Sequence, residues 1–331
     1  MRKSDFGAAA RRIAWLIGLV MVLGPVHSAL AADGNPLAGL HIIFVEPYGP
    51  NSVTNKPLAL MREEIARKSG ATVEVVTMGG KAGGTALDYV IKTPPGGLAF
   101  VVLDPISRQL AELDHERAPL LQEVQPVARL SGKLSVSLIV AESSPIRNFE
   151  DFLAQAHSRQ LRMTHLGRHA VFGLELAMLE KKFGLSFTDK VVGTREQILN
   201  ALTSGEADAG FLKTITLIPV ADAAPAPVRP ILTFGALRNP KLPKVPTLNE
   251  RTGDSKADIT TATSVFAPRT MPKALIVAVE RVIAEVAAEP AIRKAAAADN
   301  YPLEVAPAAS VAAELARSAR AIQAHHAYLV R

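Results

Sequence analysis

The sequence contains no cysteine, so disulfides and a lipidated N-terminal cysteine are excluded and stability must come from a packed core. Aromatic residues make up only 5% of the chain, and no basic run is interleaved with them, which argues against a nucleic-acid partner. After the first 31 residues no apolar stretch approaches the roughly 18 uninterrupted residues that a membrane-spanning helix needs. The motifs G-x-S-x-G, H-E-x-x-H and G-x-G-x-x-G are all missing, which leaves no nucleophile elbow, zinc-protease helix or dinucleotide fingerprint. The glycine run Gly79-Gly80-Lys81-Ala82-Gly83-Gly84-Thr85 is no phosphate loop either, because Ala82 follows the lysine where Ser or Thr is required. No enzyme class is indicated, and no cofactor.

What the sequence does have begins with an export signal. Arg2, Lys3, Arg11 and Arg12 precede an apolar run from Ile13 to Gly24, Pro25 breaks it, and Ala29-Leu30-Ala31 reads as a cleavage site. Residues 1–31 are therefore expected to be a signal peptide that sends the protein to the periplasm. The formal net charge is +6. The leader's four bases and one acid (Asp5) account for three of those six, so the mature chain carries only about +3. Some 300 mature residues exceed one comfortable core, and two domains are expected.

The pattern along the mature chain is strand–loop–helix, repeated. Ile42 to Val45 is a short, wholly apolar, β-branched run, the mark of a strand buried on both faces. Pro47 to Ser52 stops it, and a helix follows with Pro57 in its first turn, an apolar stripe at Leu58, Met61 and Ile65, and Gly70 as its C-terminal glycine. Val73–Val76 and Leu98–Leu103 repeat the unit, so a parallel sheet is predicted. Val127–Val140 is long for one strand and can leave one domain for another. A second strand–loop–helix corner runs from Gln160 through His165-Leu166-Gly167-Arg168-His169 to a helix ending at Gly184, and Thr194 with Gln197 forms a capping box. Loops that follow a buried strand and open a helix present unpaired N–H groups and a positive dipole end, which suits anions.

The order of these features resembles the extracytoplasmic solute receptors of tripartite tricarboxylate transporters, the Bug family of periplasmic binding proteins. Pro47-Tyr48 with Thr54-Asn55 stands where that family has Pro-Phe, a glycine-rich loop and Thr-Asp. Ala82-Gly83-Gly84-Thr85 matches its Ala-Gly-Gly-Thr, and Asn239-Pro240-Lys241-Leu242-Pro243-Lys244-Val245-Pro246-Thr247 resembles its Ser-Pro-x-Leu-Pro-x-Val-Pro-Thr. The resemblance implies an α/β, two-domain periplasmic binding protein of the Venus flytrap, type II-like form with a ligand cleft between the domains: 36–130 plus 238–331 as domain 1, 131–237 as domain 2. It further implies a monomer that captures a small organic anion and passes it to inner-membrane transporter subunits. The ligand loops would be Tyr48–Asn55 and Thr164–Val171.

The chain departs from the family at those same loops. Asn51-Ser52-Val53 replaces three glycines, Asn55 replaces the aspartate, and His165, Arg168, His169 and Phe172 occupy a run of small residues. Arg168 is the leading candidate to grip a carboxylate, since a guanidinium beside a helix start adds bidentate geometry to the dipole. His165 and His169 flank it as anion donors or neutral scaffolding, and no third ligand lies near them for a metal. Tyr48 can stack on or hydrogen-bond a planar solute. Asn51, Ser52, Thr54 and Asn55 offer polar side chains, although Ser52 and Thr54 can equally cap the helix. Glu46 and Asp104 end strands of domain 1, and Lys213 follows a strand of domain 2. With these acids on one wall and Arg168 on the other, an amino acid would be matched at both ends; Lys213 is another possible cleft cation. The alternative for Glu46 is an ion pair with Lys56 or Lys81. Two other functions fit the same scaffold: a ligand-sensing adaptor for a signalling receptor, and a receptor-like protein that has lost its solute.

Overall fold

The computed structural model describes residues 35–49, 52–94, 96–113, 120–170, 172–254 and 260–330; the signal peptide and Asn51 lie outside them. In chain order the first part comprises β1 (His41–Glu46), α1 (Lys56–Ser69), β2 (Thr72–Thr77), α2 (Gly84–Lys92), β3 (Leu98–Leu103), α3 (Pro105–Ala111) and β4 (Val124–Ser131). The middle comprises β5 (Val136–Ala141), α4 (Phe149–Ser158), β6 (Leu161–His165), α5 (Gly173–Phe183), β7 (Phe187–Val191), α6 (Arg195–Thr203), β8 (Ala209–Lys213), α7 (Thr214–Ala221) and β9 (Val228–Phe234). The last part comprises α8 (Leu248–Thr252), β10 (Ser264–Pro268), α9 (Lys273–Ala287), α10 (Pro290–Ala298), β11 (Leu303–Pro307) and α11 (Ala308–Leu329).

These strands form two sheets. The first has six strands in the order β11-β4-β10-β3-β1-β2, the second five in the order β7-β6-β8-β5-β9. β1 runs parallel to both β2 and β3, as the βα repeats predict, and β10 returns antiparallel between β3 and β4. The apolar runs of β1 and β3 are buried on both faces because helices cover both sides. Ile42, Phe44, Leu98, Phe100 and Val102 point into one core with α1 and α9, while Val45, Ala99, Val101 and Leu103 point into another with α2. Side-chain alternation along a strand requires this division. Phe44 and Phe100 sit opposite each other in register, ring centroids 5.6 Å apart. Leu58, Met61 and Ile65 of α1 are fully buried, the stripe read from the sequence.

The predicted long strand Val127–Val140 is interrupted. β4 ends at Ser131 and β5 begins at Val136, and the link between them crosses from one sheet to the other. Gly132 lies against Pro302, to whose carbonyl it donates at 2.6 Å; a Cβ there would meet Glu304 Oε2 at 3.1 Å. Leu134 exchanges two hydrogen bonds with Thr261 on the returning segment. The lobes are thus joined by two antiparallel crossing strands, the arrangement of a hinge.

Two helices assigned by sequence to the first domain do not respect that division. Leu248 of α8 packs into the second lobe's core. α11 serves both lobes: Val311 enters a first-lobe core, whereas Ile322 and Leu329 enter the core of the second. Along the way α11 packs on β4, α3 and α5. Among the described residues no helix is long and apolar enough to cross a membrane.

Candidate functional site

The loop from β1 to α1 is organised by Glu46. Its side chain is fully buried; Oε2 accepts from the Tyr48 and Gly49 backbone N–H groups at 2.9 and 3.0 Å, and Oε1 accepts from the Thr77 hydroxyl at 2.5 Å. The carboxylate supplies the loop with the anion that its N–H groups call for. Neither expected partner is used: Lys56 pairs with Asp299 at 2.7 Å, and no Lys81 side-chain bond to Glu46 is formed. Ser52 Oγ accepts from the Asn55 N–H at 3.1 Å, so this hydroxyl closes the turn into α1. Thr54 and Asn55 are buried, and Asn55 precedes α1 without a capping bond from its side chain. Tyr48 exposes 38% of its surface, yet its hydroxyl end is enclosed near Asp104 and Arg108. Burial of that end, then the charge of Asp104, raise its pKa above the ordinary tyrosine value.

The loop from β6 to α5 is organised by Arg168. Nε and one terminal nitrogen hold Asp189 at 2.6 and 2.9 Å; the two terminal nitrogens hold Glu180 at 2.8 and 3.0 Å; the last donor reaches the Tyr328 carbonyl at 2.7 Å. A guanidinium has five N–H donors, and all five have protein acceptors. Arg168 therefore has a structural role here in place of the carboxylate grip expected of it. Although burial works against its charge, the bonds to Glu180 and Asp189 raise its pKa. His165 is fully buried; its Nδ1 accepts from the Gly167 N–H at 3.0 Å, leaving Nε2 to face Asp189 at 3.4 Å. Burial lowers its pKa, so it stands as neutral scaffolding. His169 Nε2 is buried with no hydrogen-bond partner. The α5 entrance is tight: a Cβ on Gly173 would lie 1.9 Å from the Arg168 carbonyl, and Phe172 takes a left-handed φ of 80° with its ring against Phe211.

The charges that do meet between the lobes come from other strand ends. Asp104 follows β3 and caps α3, its Oδ1 accepting from Ile106 N–H at 3.1 Å. Its Oδ2 accepts from Lys213 Nζ at 2.9 Å, and the two side chains are only 2% and 15% exposed. Lys213 ends β8, so this ion pair bridges the two lobes. Beside it lies Glu175, in the first turn of α5, 3% exposed and without an ion pair among the described residues. Burial, with a further contribution from Asp104, pushes its pKa up to about 7 against a relieving effect of Lys213. A short hydroxyl chain, Ser135–Thr214–Ser137 with both links at 2.8 Å, runs next to Lys213. Fully buried Arg108 backs the cluster, donating to the Lys81 carbonyl at 3.2 Å and to Glu112 at 3.0 Å.

Glu175 and Arg108 were not singled out from the sequence. The structure buries every position from Gly173 to Glu180, and no pattern in the sequence distinguishes Glu175 from a solvated first-turn acid. Among the described residues no group of three His, Cys, Asp or Glu side chains converges to hold a metal.

Comparison with known proteins accords with this architecture. The profile of the Tripartite tricarboxylate transporter family receptor, TctC, matches residues 59–325. Among solved structures, MatC from Rhodopseudomonas palustris with bound malate superposes with a TM-score of 0.70 at 20% identity, covering 85% of this chain and 99% of that one. An R. palustris protein with adipate gives 0.72 at 18% identity, covering 86% and 97%. The periplasmic binding protein BugD gives 0.71 at 16% identity, with the same coverage. No curated protein matches the chain.

Proposed function

The chain belongs to the tripartite tricarboxylate transporter receptor family (TctC), and from that premise we propose that it is a periplasmic receptor for a small carboxylate bearing an ammonium group. It would deliver this solute to the inner-membrane subunits of a tripartite transporter. The observation that carries the solute class is the buried Asp104–Lys213 pair with Glu175 beside it. An amino acid can exchange that pair for two: its carboxylate takes Lys213 and its ammonium takes Asp104, with Glu175 as a second acid. Each buried charge keeps a partner throughout, which avoids the cost of leaving one alone.

Plain dicarboxylates, the kind bound by two of the structural relatives, fit this cleft less well. A second negative charge about 5 Å from Asp104 or Glu175 costs on the order of 3 kcal/mol at an effective dielectric of 20. Titration calorimetry with aspartate and glutamate against succinate and citrate tests the reading. Saturable binding of the amino acids is expected, and binding confined to the non-amino acids overturns it. An ammonium beside Glu175 also lowers that group's pKa, so near pH 7 binding should release a proton, seen as heats that vary with the buffer's ionisation enthalpy. One observation favours a receptor-like protein without a solute, namely that the cleft's charges already satisfy each other. Absence of any thermal shift with carboxylates, amino acids and aromatic acids would support that reading.

A further inference from the structure

A cavity of about 900 Å³ lies apart from the β1–α1 and β6–α5 loops. None of Tyr48, Asp104, Glu175 or Lys213 lines it. Its walls come from the start of α3, the crossing strands at Lys133 and Ala262, the middle of α5, α8, and α11 from Glu314 to His325. The volume falls at the upper end of the range for small-molecule sites, roughly 300–1,000 Å³.

Five cations line this cavity, Lys133, Lys181, Lys182, Arg317 and Arg320, against two acids, Asp254 and Glu314. That local excess of three equals the excess of the entire mature chain. Both acids are already matched, Asp254 by Lys182 at 3.1 Å and Glu314 by Arg129 at 2.5 Å. Lys181 donates to the Ala324 carbonyl at 2.6 Å and fixes α5 to α11. Arg317 and Arg320, one helical turn apart on α11, have no ion pair or hydrogen bond among the described residues. Two planar guanidinium groups at i and i+3 can converge on one acidic head. Below them the wall is apolar and adaptable, formed by Ile106, Met178 and Leu248.

We propose that this cavity is a second ligand site, separate from the cleft, for an amphipathic organic anion. The acidic head lies between Arg317 and Arg320, and the apolar body lies on Ile106, Met178 and Leu248. Positive charge over an apolar floor selects for both halves of such a molecule; a bare ion leaves the floor wet, and a neutral apolar molecule leaves the arginines unmatched.

Decanoate, below its micellar concentration, is a suitable probe. The sequence's one tryptophan, Trp15, lies in the leader, so Thr252→Trp places a sole tryptophan in the cavity wall of the mature protein. Its emission should change saturably with decanoate and not with decyltrimethylammonium, which has the same tail and the opposite charge. Adding Arg317→Glu and Arg320→Glu should weaken decanoate at least about tenfold, while Arg281→Glu with Arg293→Glu, the same charge change placed outside the cavity, should leave it unaltered. Calorimetry on the protein without Thr252→Trp should give the same ranking, which guards against a site made by the tryptophan. The proposal is overturned by equal binding of the cationic surfactant, by equal weakening in both charge-reversed pairs, or by no saturable signal from decanoate in either assay.

Discussion

The two strand-to-helix loops, β1 to α1 and β6 to α5, are built in opposite ways. The first is held from within: the Glu46 carboxylate binds the N–H groups of Tyr48 and Gly49, two and three residues along, with Thr77 from the adjacent strand as its one distant partner. The second is held from outside, because Arg168 ties the loop to Glu180 on α5, Asp189 on β7 and Tyr328 on α11. The difference teaches that a charge in a loop expected to bind a ligand is not by that fact a charge for the ligand. Both loops direct their most conspicuous charge into the protein, and the pairing between the lobes falls to Asp104 and Lys213.

The contrast can be broken most forcefully at Arg168. Arg168→Met leaves Glu180, whose side chain is wholly buried, without its cation, and should cost about 3–5 kcal/mol in urea unfolding. A loss below 1 kcal/mol would mean that the second loop does not depend on the clamp. Glu175, buried in the first turn of α5, comes next. Its folded pKa of about 7 lies above the unfolded value of 4.5. Its contribution is thus most favourable below pH 4.5 and is lost as pH rises through 7. Glu175→Gln should remove that decline and stabilise the protein above pH 7 by on the order of 2–3 kcal/mol, so melting curves at pH 5 and pH 8 should lie closer together than in the wild type. A pH dependence unchanged by the substitution would remove Glu175 as its source. The smallest effect is expected at Glu46. Glu46→Gln keeps one acceptor oxygen and loses charge-assisted bonds, costing about 1–2 kcal/mol. If it cost more than Arg168→Met, the first loop would be the more dependent of the two on its charge.

The fold was legible because it rests on patterns that a linear sequence carries well. Apolar β-branched runs gave β1 and β3, the stripe Leu58, Met61, Ile65 gave α1, and Thr194 with Gln197 marked the start of α6 by a capping box that is formed. The site was less legible, because what a charged side chain does depends on partners far away in the chain. Nothing near Arg168 announces Tyr328, 160 positions on, and nothing near Asp104 announces Lys213. Glu175 was hidden differently: it stands in an apolar helix, where its neighbours draw attention to packing and away from the buried acid. The edge strands β7 and β11 escaped notice because they are half exposed and lack a continuous apolar run.

The position of α11 limits how such a molecule can move. A helix of 22 residues is about 33 Å long, and this one is seated in the first lobe near its start and in the second near its end. Two crossing strands already restrict the lobes on one side; a stiff rod anchored in both restricts them again. A jaw-like opening, or a rotation of one lobe about the rod's own axis, would pull Ile322 and Leu329 out of the second core or Val311 out of the first. The helix is a brace across both lobes, so a pair of distance labels, one on each lobe, should report only a modest change in separation and in relative orientation when a solute is added.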